Sequence, residues 1–163
     1  MNKVLLFCLI FFSIALISSC SDSPTNSPAP TIITTTWKGG GGILTSITAK
    51  SEAIGSTGWL DLTQFSKIEI SWQAEAKTFP PPNNEIFFSG LEGAYGQPKT
   101  QPFLLDTLSK PLNTYSVTLQ TSQLIEKQHY YFILYVWSNN RLWDTTTHST
   151  FTLSNLKILG YTE

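Results

Sequence analysis

Cysteine is almost absent from this chain: of its 163 residues, two are Cys, at positions 8 and 20. Past Cys20 no disulfide can staple the fold, so its stability has to come from a buried core. Charge is scarce too: Asp, Glu, Lys and Arg make up 13% of the residues and the net charge is −1. No Lys- or Arg-rich run is present, which argues against a nucleic-acid partner. Histidine is limited to His129 and His148. No HxH, HExxH or cysteine pair offers metal-ligand spacing. There is no GxSxG turn for a nucleophilic serine, and the GGGG at 39–42 is not followed by the GK[ST] of a phosphate loop. Glu85, Glu92, Asp106 and Asp144 qualify as a glycosidase acid and base by residue type alone, and no strand carries a run of alternating carboxylates. The expectation is a non-catalytic protein.

What is present begins with a leader. Lys3 supplies a positive charge, and Val4 to Ile17 reads VLLFCLIFFSIALI, an apolar run broken only by Ser13. A charged start, a short apolar run and small residues make a secretory signal, and the run is shorter than the roughly 18–20 residues that span a bilayer. Ile17-Ser18-Ser19-Cys20 resembles the bacterial lipobox: an aliphatic residue, two small residues, then cysteine. The resemblance implies that the Cys20 thiol receives a diacylglycerol and that cleavage before Cys20 frees an amino terminus open to acylation, for instance by palmitate. The alternative is an ordinary secretory signal with Cys20 a bystander. SDSPTNSPAP follows, a composition that cannot bury enough apolar surface to fold. It reads as a tether reaching at most about 30 Å. Three regions are expected: a lipoprotein signal peptide at 1–19, the lipidated cysteine and its tether at 20–30, and a folded domain at 31–163. Serine, not aspartate, stands directly after Cys20. By resemblance to the enteric sorting pattern, this leans toward the outer membrane over the inner.

From residue 31 the periodicity is that of strands. KIEISWQAEA puts Ile68, Ile70, Trp72, Ala74 and Ala76 on one face and Lys67, Glu69, Ser71, Gln73 and Glu75 on the other. TYSVTLQ repeats the alternation, with Tyr115, Val117 and Leu119 inward. GWLDL is a shorter case, with Trp59 and Asp61 opposite Leu60 and Leu62, and Trp59 is expected to pack under the GGGG segment. EIFFSGL and PFLLDTL are short apolar strands. HYYFILYVW, apolar on both faces, is a central strand. In FTLSNLKILGY the apolar parity shifts between Leu153 and Leu156, which predicts a bulge at Ser154-Asn155. TSQLIEKQH allows one helical turn. Gly, Pro and Asn clusters punctuate these segments. Together they predict an all-β fold, a two-sheet antiparallel β-sandwich.

STGWLDLTQFSKIEISWQAEA and YYFILYVWSNN…STFTLSNLKILGY resemble the early and last strands of galactose-binding-like jelly rolls, a shape that many carbohydrate-binding modules share. The resemblance implies a jelly roll and a carbohydrate ligand. It also raises a structural calcium, with Glu52 a candidate ligand. Asn155, standing where such families often have aspartate, weakens that cation site.

Aromatic residues are plentiful, with five Trp and six Tyr. Sugar rings stack their C–H faces on aromatic side chains while hydroxyls pair with planar polar groups. In HYYFILYVWSNNRLWD, Tyr130, Phe132, Leu134 and Val136 suit a core. Tyr131, Ile133, Tyr135 and Trp137 share the other face. The following loop adds Asn139, Asn140, Arg141, Trp143 and Asp144, the residue types of a small sugar clamp. The candidate ligand residues are therefore Trp143, Arg141, Asp144, Asn140, Tyr135, Trp137 and Tyr95, with Trp37 a further exposed ring. Trp72 is core. The expected function is a membrane-anchored binding lipoprotein taking a glycan. The alternative is an envelope protein as partner, and a glycan hydrolase ranks last.

Overall fold

The computed structural model describes residues 28–34, 37–39, 42–44, 46–50, 52–81, 85–95, 100–139 and 150–162. Cys20 and most of the tether lie outside them. The regular structure of the described chain is strand apart from one 3-10 turn: β1 (Thr31–Thr34), β2 (Trp37–Gly39), β3 (Gly42–Leu44), β4 (Ser46–Lys50), β5 (Glu52–Ser56), β6 (Lys67–Ala76), β7 (Phe87–Ala94), β8 (Thr100–Thr107), β9 (Leu112–Gln120), β10 (Tyr131–Ser138) and β11 (Thr150–Tyr161), with the turn at Thr121–Gln123. That turn falls in the segment where one helical turn was expected.

Two antiparallel sheets make the sandwich, and β2 and β3 pair apart from them as a two-stranded ribbon. One runs β1-β11-β6-β9, with β4 also on β11; the other runs β5-β10-β7-β8. The long β11 pairs with β6 along its length, while its other edge is shared by β4 against Thr150–Ser154 and β1 against Ile158–Gly160. From β4 onward the chain passes back and forth between the sheets, with β7–β8 the one hairpin within a sheet. The facing orders β4-β11-β6-β9 and β5-β10-β7-β8 are those of a jelly roll, a double-sheet form of two Greek keys.

The alternation read from the sequence is the alternation of burial. Ile68, Ile70, Trp72 and Ala74 of β6 face Phe132, Leu134 and Val136 of β10 across the sandwich, all fully buried. Phe87 and Phe151 meet edge to face at 4.9 Å between centroids. Burying each such side chain stabilises by about 1.5–3 kcal/mol, which is how a domain without disulfides holds together. In β11 the register slips between Ser154 and Lys157. Asn155 sits there with φ 54, the left-handed conformation that asparagine tolerates better than most residues. The extra residue returns Leu156 to the core, as the parity shift required. GWLDL is less regular than a strand, contributing one bridge, Leu60 to Tyr130.

A polar connection crosses the centre of the core. The Trp72 indole Nε1 donates to Ser89 Oγ at 3.1 Å, and that hydroxyl donates to the Tyr135 backbone carbonyl at 3.0 Å. Trp72 also stacks on Tyr115 at 5.2 Å. The Tyr115 hydroxyl donates to the Thr107 carbonyl at 3.3 Å, and burial pushes its pKa up to about 12, with Asp106 adding to the effect. Ser89 is fully buried, so removing its oxygen leaves the buried indole N–H without the acceptor it has here. Ser89→Ala is expected to cost about 1–3 kcal/mol, read as a lower urea midpoint at an unchanged m-value.

Candidate ligand-binding face

The two sheets present different surfaces to solvent. On the β6 side the outward residues are Lys67, Glu69, Ser71, Gln73 and Glu75, and they bind one another's neighbours. Glu69 accepts from the Tyr161 hydroxyl at 2.9 Å and from Ser116 Oγ at 3.3 Å. Lys67 Nζ lies 4.0 Å from the Tyr161 ring centre, and Asn155 donates to the Gln73 side-chain oxygen. This is an ordinary wet face.

The outer face of β5-β10-β7-β8 is apolar and aromatic. Tyr131, Ile133, Tyr135 and Trp137 alternate with the buried residues of β10 and are half-buried. Residues opposite each other in a ladder share a face. One row across the sheet is therefore Ile54, Tyr135, Gly90 and Leu105. Ile54 is 54% exposed and Leu105 58%. A Cβ on Gly90 would collide with the Tyr135 ring, so that ring lies across the glycine, flat along the sheet. The Tyr135 hydroxyl bonds to the Glu92 carboxylate, and burial first, then Glu92, raises its pKa. In the next row Trp137 stacks on Phe88 at 4.8 Å and 28°. The result is a flat ring, aliphatic groups to either side, a stacked aromatic pair as a border, and a carboxylate able to accept a hydroxyl.

Trp59 joins this face through a bulge. Ser56 pairs with Ile133 and Leu60 with Tyr130. Four steps on one side therefore match three on the other (60 − 56 against 133 − 130). The extra residue is taken up at Gly58, at φ 73, a conformation glycine adopts without a Cβ penalty. Buried Thr57 repairs the ladder, its hydroxyl donating to the Gly58 carbonyl at 2.9 Å and accepting from the Phe132 N–H at 3.0 Å. In an unbroken ladder residue 59 would stand opposite Tyr130 and point inward. Instead Trp59 is 56% exposed, with Tyr131 edge-on at 4.7 Å and His129 at 6.5 Å. The expectation that Trp59 packs under the glycine run is thus corrected. Its parity, opposite the inward Leu60 and Leu62, was the signal that could have found it.

The other candidates fall as follows. Tyr135 and Trp137 stand together on this face. Tyr95 is half-buried and stacks on core Tyr130 at 6.3 Å, on the inner side of the sheet and apart from them. Asn139 accepts from the Ile86 N–H at 2.8 Å and donates its own N–H back to the Ile86 carbonyl. Asn140, Arg141, Trp143, Asp144 and His148 lie outside the described residues, as does the side chain of Trp37. Glu52 opens β5 opposite Trp137, its side chain also outside. Among the described residues no three His, Cys, Asp or Glu come together as a metal site. Of the carboxylates proposed by type, Glu85 is buried and accepts from Ser138 Oγ at 2.7 Å. Glu92 points outward, and Asp106, opposite Ser89, has the other parity.

No family model matches the chain, and no curated protein does. Among solved structures, one described as "Family 16 Carbohydrate Binding Module-2" aligns with a TM-score of 0.40 at 9% identity, over 82% of this chain and 86% of that one. A likeness at this level carries no argument about the ligand.

Gly58→Ala puts a side chain where the backbone is left-handed. It is expected to cost about 1–2 kcal/mol, measured by urea unfolding.

Proposed function

We propose that this chain is a membrane-anchored, non-catalytic binding lipoprotein whose β5-β10-β7-β8 outer face holds a carbohydrate. The observation that carries the reading is the Tyr135 ring lying flat over Gly90, between Ile54 and Leu105 and beside Glu92. A flat ring accepts the C–H face of a sugar, and a fixed carboxylate accepts its hydroxyl protons. On the opposite sheet the outward ring of Tyr161 has the Lys67 ammonium over it and its hydroxyl on Glu69, so no comparable open ring stands there among the described residues. Lipidation at Cys20 would tie the domain to a membrane, with the proline-rich tether giving clearance and the outer membrane favoured over the inner.

A second reading has its own support. Ile54 and Leu105 are exposed aliphatic groups on one row, and an apolar patch of that kind also suits an envelope protein as partner.

Native electrophoresis through gels containing single polysaccharides tests the first reading. Retardation by at least one is expected, with Tyr135→Ala weakening it roughly tenfold, as for a central aromatic contact. Retardation by none, or an unaffected Tyr135→Ala, counts against it. A single protein recovered repeatedly on the wild type but not on Ile54→Asp would then favour the second. The anchor is tested separately: Cys20→Ser is expected to move the protein from the membrane pellet to the soluble fraction. A variant that still pellets, without detergent-extractable lipid, would remove the lipoprotein assignment.

A further inference from the structure

We infer that Trp59 is a second contact for the ligand of this face, and that the ligand is an extended, uncharged glycan lying lengthwise over β10. The inference rests on the carbohydrate reading above and adds the ligand's length, direction and charge.

The direction comes from register. Tyr131, Ile133, Tyr135 and Trp137 project from the same side of one strand. At roughly 3.3 Å per residue, the line from Tyr131 to Trp137 is about 20 Å long, several sugar rings from end to end. Trp59 extends it past Tyr131, the two rings being 4.7 Å apart. The Trp137–Phe88 pair bounds the other end.

That Trp59 belongs to the line is argued by how it is displayed. A tryptophan at an inward position would have added to the core at no backbone cost. The chain instead carries an extra residue, a left-handed glycine and a buried threonine that patches the interrupted ladder. Bulges of this kind re-aim side chains beside binding sites. Here the side chain re-aimed is the largest apolar one, and it is turned toward water.

The charge comes from the rim. Glu92 stands on the sheet itself. At the Trp59 end are Asp61 and Glu126, both close enough to His129 to interact with it. Asp61 accepts from Thr63 Oγ1 at 2.6 Å and from the Thr63 N–H at 2.9 Å. Glu126 accepts from the N–H groups of Gln128 at 2.7 Å and Lys127 at 2.8 Å. These hydrogen bonds lower both pKa values, so both carboxylates stay ionised at neutral pH. A ligand passing between such groups meets acceptors for its hydroxyls and repulsion for any carboxylate of its own.

The test uses the mature chain, hydroxyethylcellulose, glucomannan and laminarin as neutral probes, and polygalacturonate as the acidic one. Oligosaccharides of graded length from whichever neutral polymer retards the protein are then titrated calorimetrically. Affinity is expected to rise at least tenfold from disaccharide to hexasaccharide. Trp59→Ala should abolish most of that gain, Trp59→Phe should keep much of it, and Thr118→Ala on the opposite sheet should leave it intact. Polygalacturonate should not retard the wild type. Affinity independent of length, a Trp59→Ala profile matching wild type, or retardation by polygalacturonate equal to that by the neutral polymers overturns the inference while the carbohydrate reading stands. Retardation by none of the polymers overturns both. Equal urea midpoints for wild type and Trp59→Ala exclude misfolding as the cause of a loss.

Discussion

The hydrogen-bond relay from the Trp72 indole through Ser89 to the Tyr135 carbonyl is the constraint on which the rest of the molecule hangs. It joins β6 of one sheet to β7 and β10 of the other, through the dry centre of the sandwich. Apolar contacts hold the sheets together but are indifferent to small slides. A donor and an acceptor that must each be satisfied in the interior are not indifferent. The relay therefore sets the relative position of the sheets. It also fixes the backbone of Tyr135, whose ring is the centre of the outer platform.

A consequence is that core and face are not independent. Every second residue of β10 is core and every other is surface, so the same eight-residue strand supplies Phe132, Leu134 and Val136 inward and Tyr131, Ile133, Tyr135 and Trp137 outward. Gly90 has the same double character. It is glycine because the Tyr135 ring lies where a side chain would be. The ring lies there because its hydroxyl reaches Glu92 two residues along β7. A flat platform thus follows from one missing side chain and one hydrogen bond. The β6 side has a tyrosine–carboxylate bond of its own, Tyr161 to Glu69, but there the Lys67 ammonium lies over the ring.

Much of this was legible in the sequence, and what was not has a physical cause. The period-two burial of KIEISWQAEA and HYYFILYVW reads directly, because alternation in a strand is a matter of counting. So does the Asn155 bulge, since a parity shift between two apolar sets has no other cheap explanation. The two-sheet sandwich follows from many short strands without helices. The outward placement of Tyr135 and Trp137 reads for the same reason: they sit on the face left over once the core set is assigned. Trp59 was misplaced because its local pattern fixes which neighbours it opposes but not which side faces water. That depends on where the extra residue falls against β10, a long-range fact. Ile54, Phe88 and Leu105 were missed as partners of Tyr135 for the same reason, since register between strands distant in sequence is set by the assembled sheet. Tyr95 reads as exposed between glycines, yet the ring of Tyr130 covers one of its faces.

Gly58 shows how finely balanced such a surface is. The ladder is regular on the β5 side of the bulge and continues on the other as the single Leu60–Tyr130 bridge, and residue 59 changes sides because a single position has been added to one strand and not to its neighbour. In evolutionary terms, gain or loss of one codon is enough to carry a tryptophan between interior and exterior without altering the strand order or the remaining pairs. A sandwich of this kind can acquire or discard an aromatic contact at its rim by insertion and deletion rather than by substitution. Lineages that differ in whether this ring faces water would then be expected to differ first in the spacing between β5 and Leu60, while the alternating residues of β6 and β10 stay as they are.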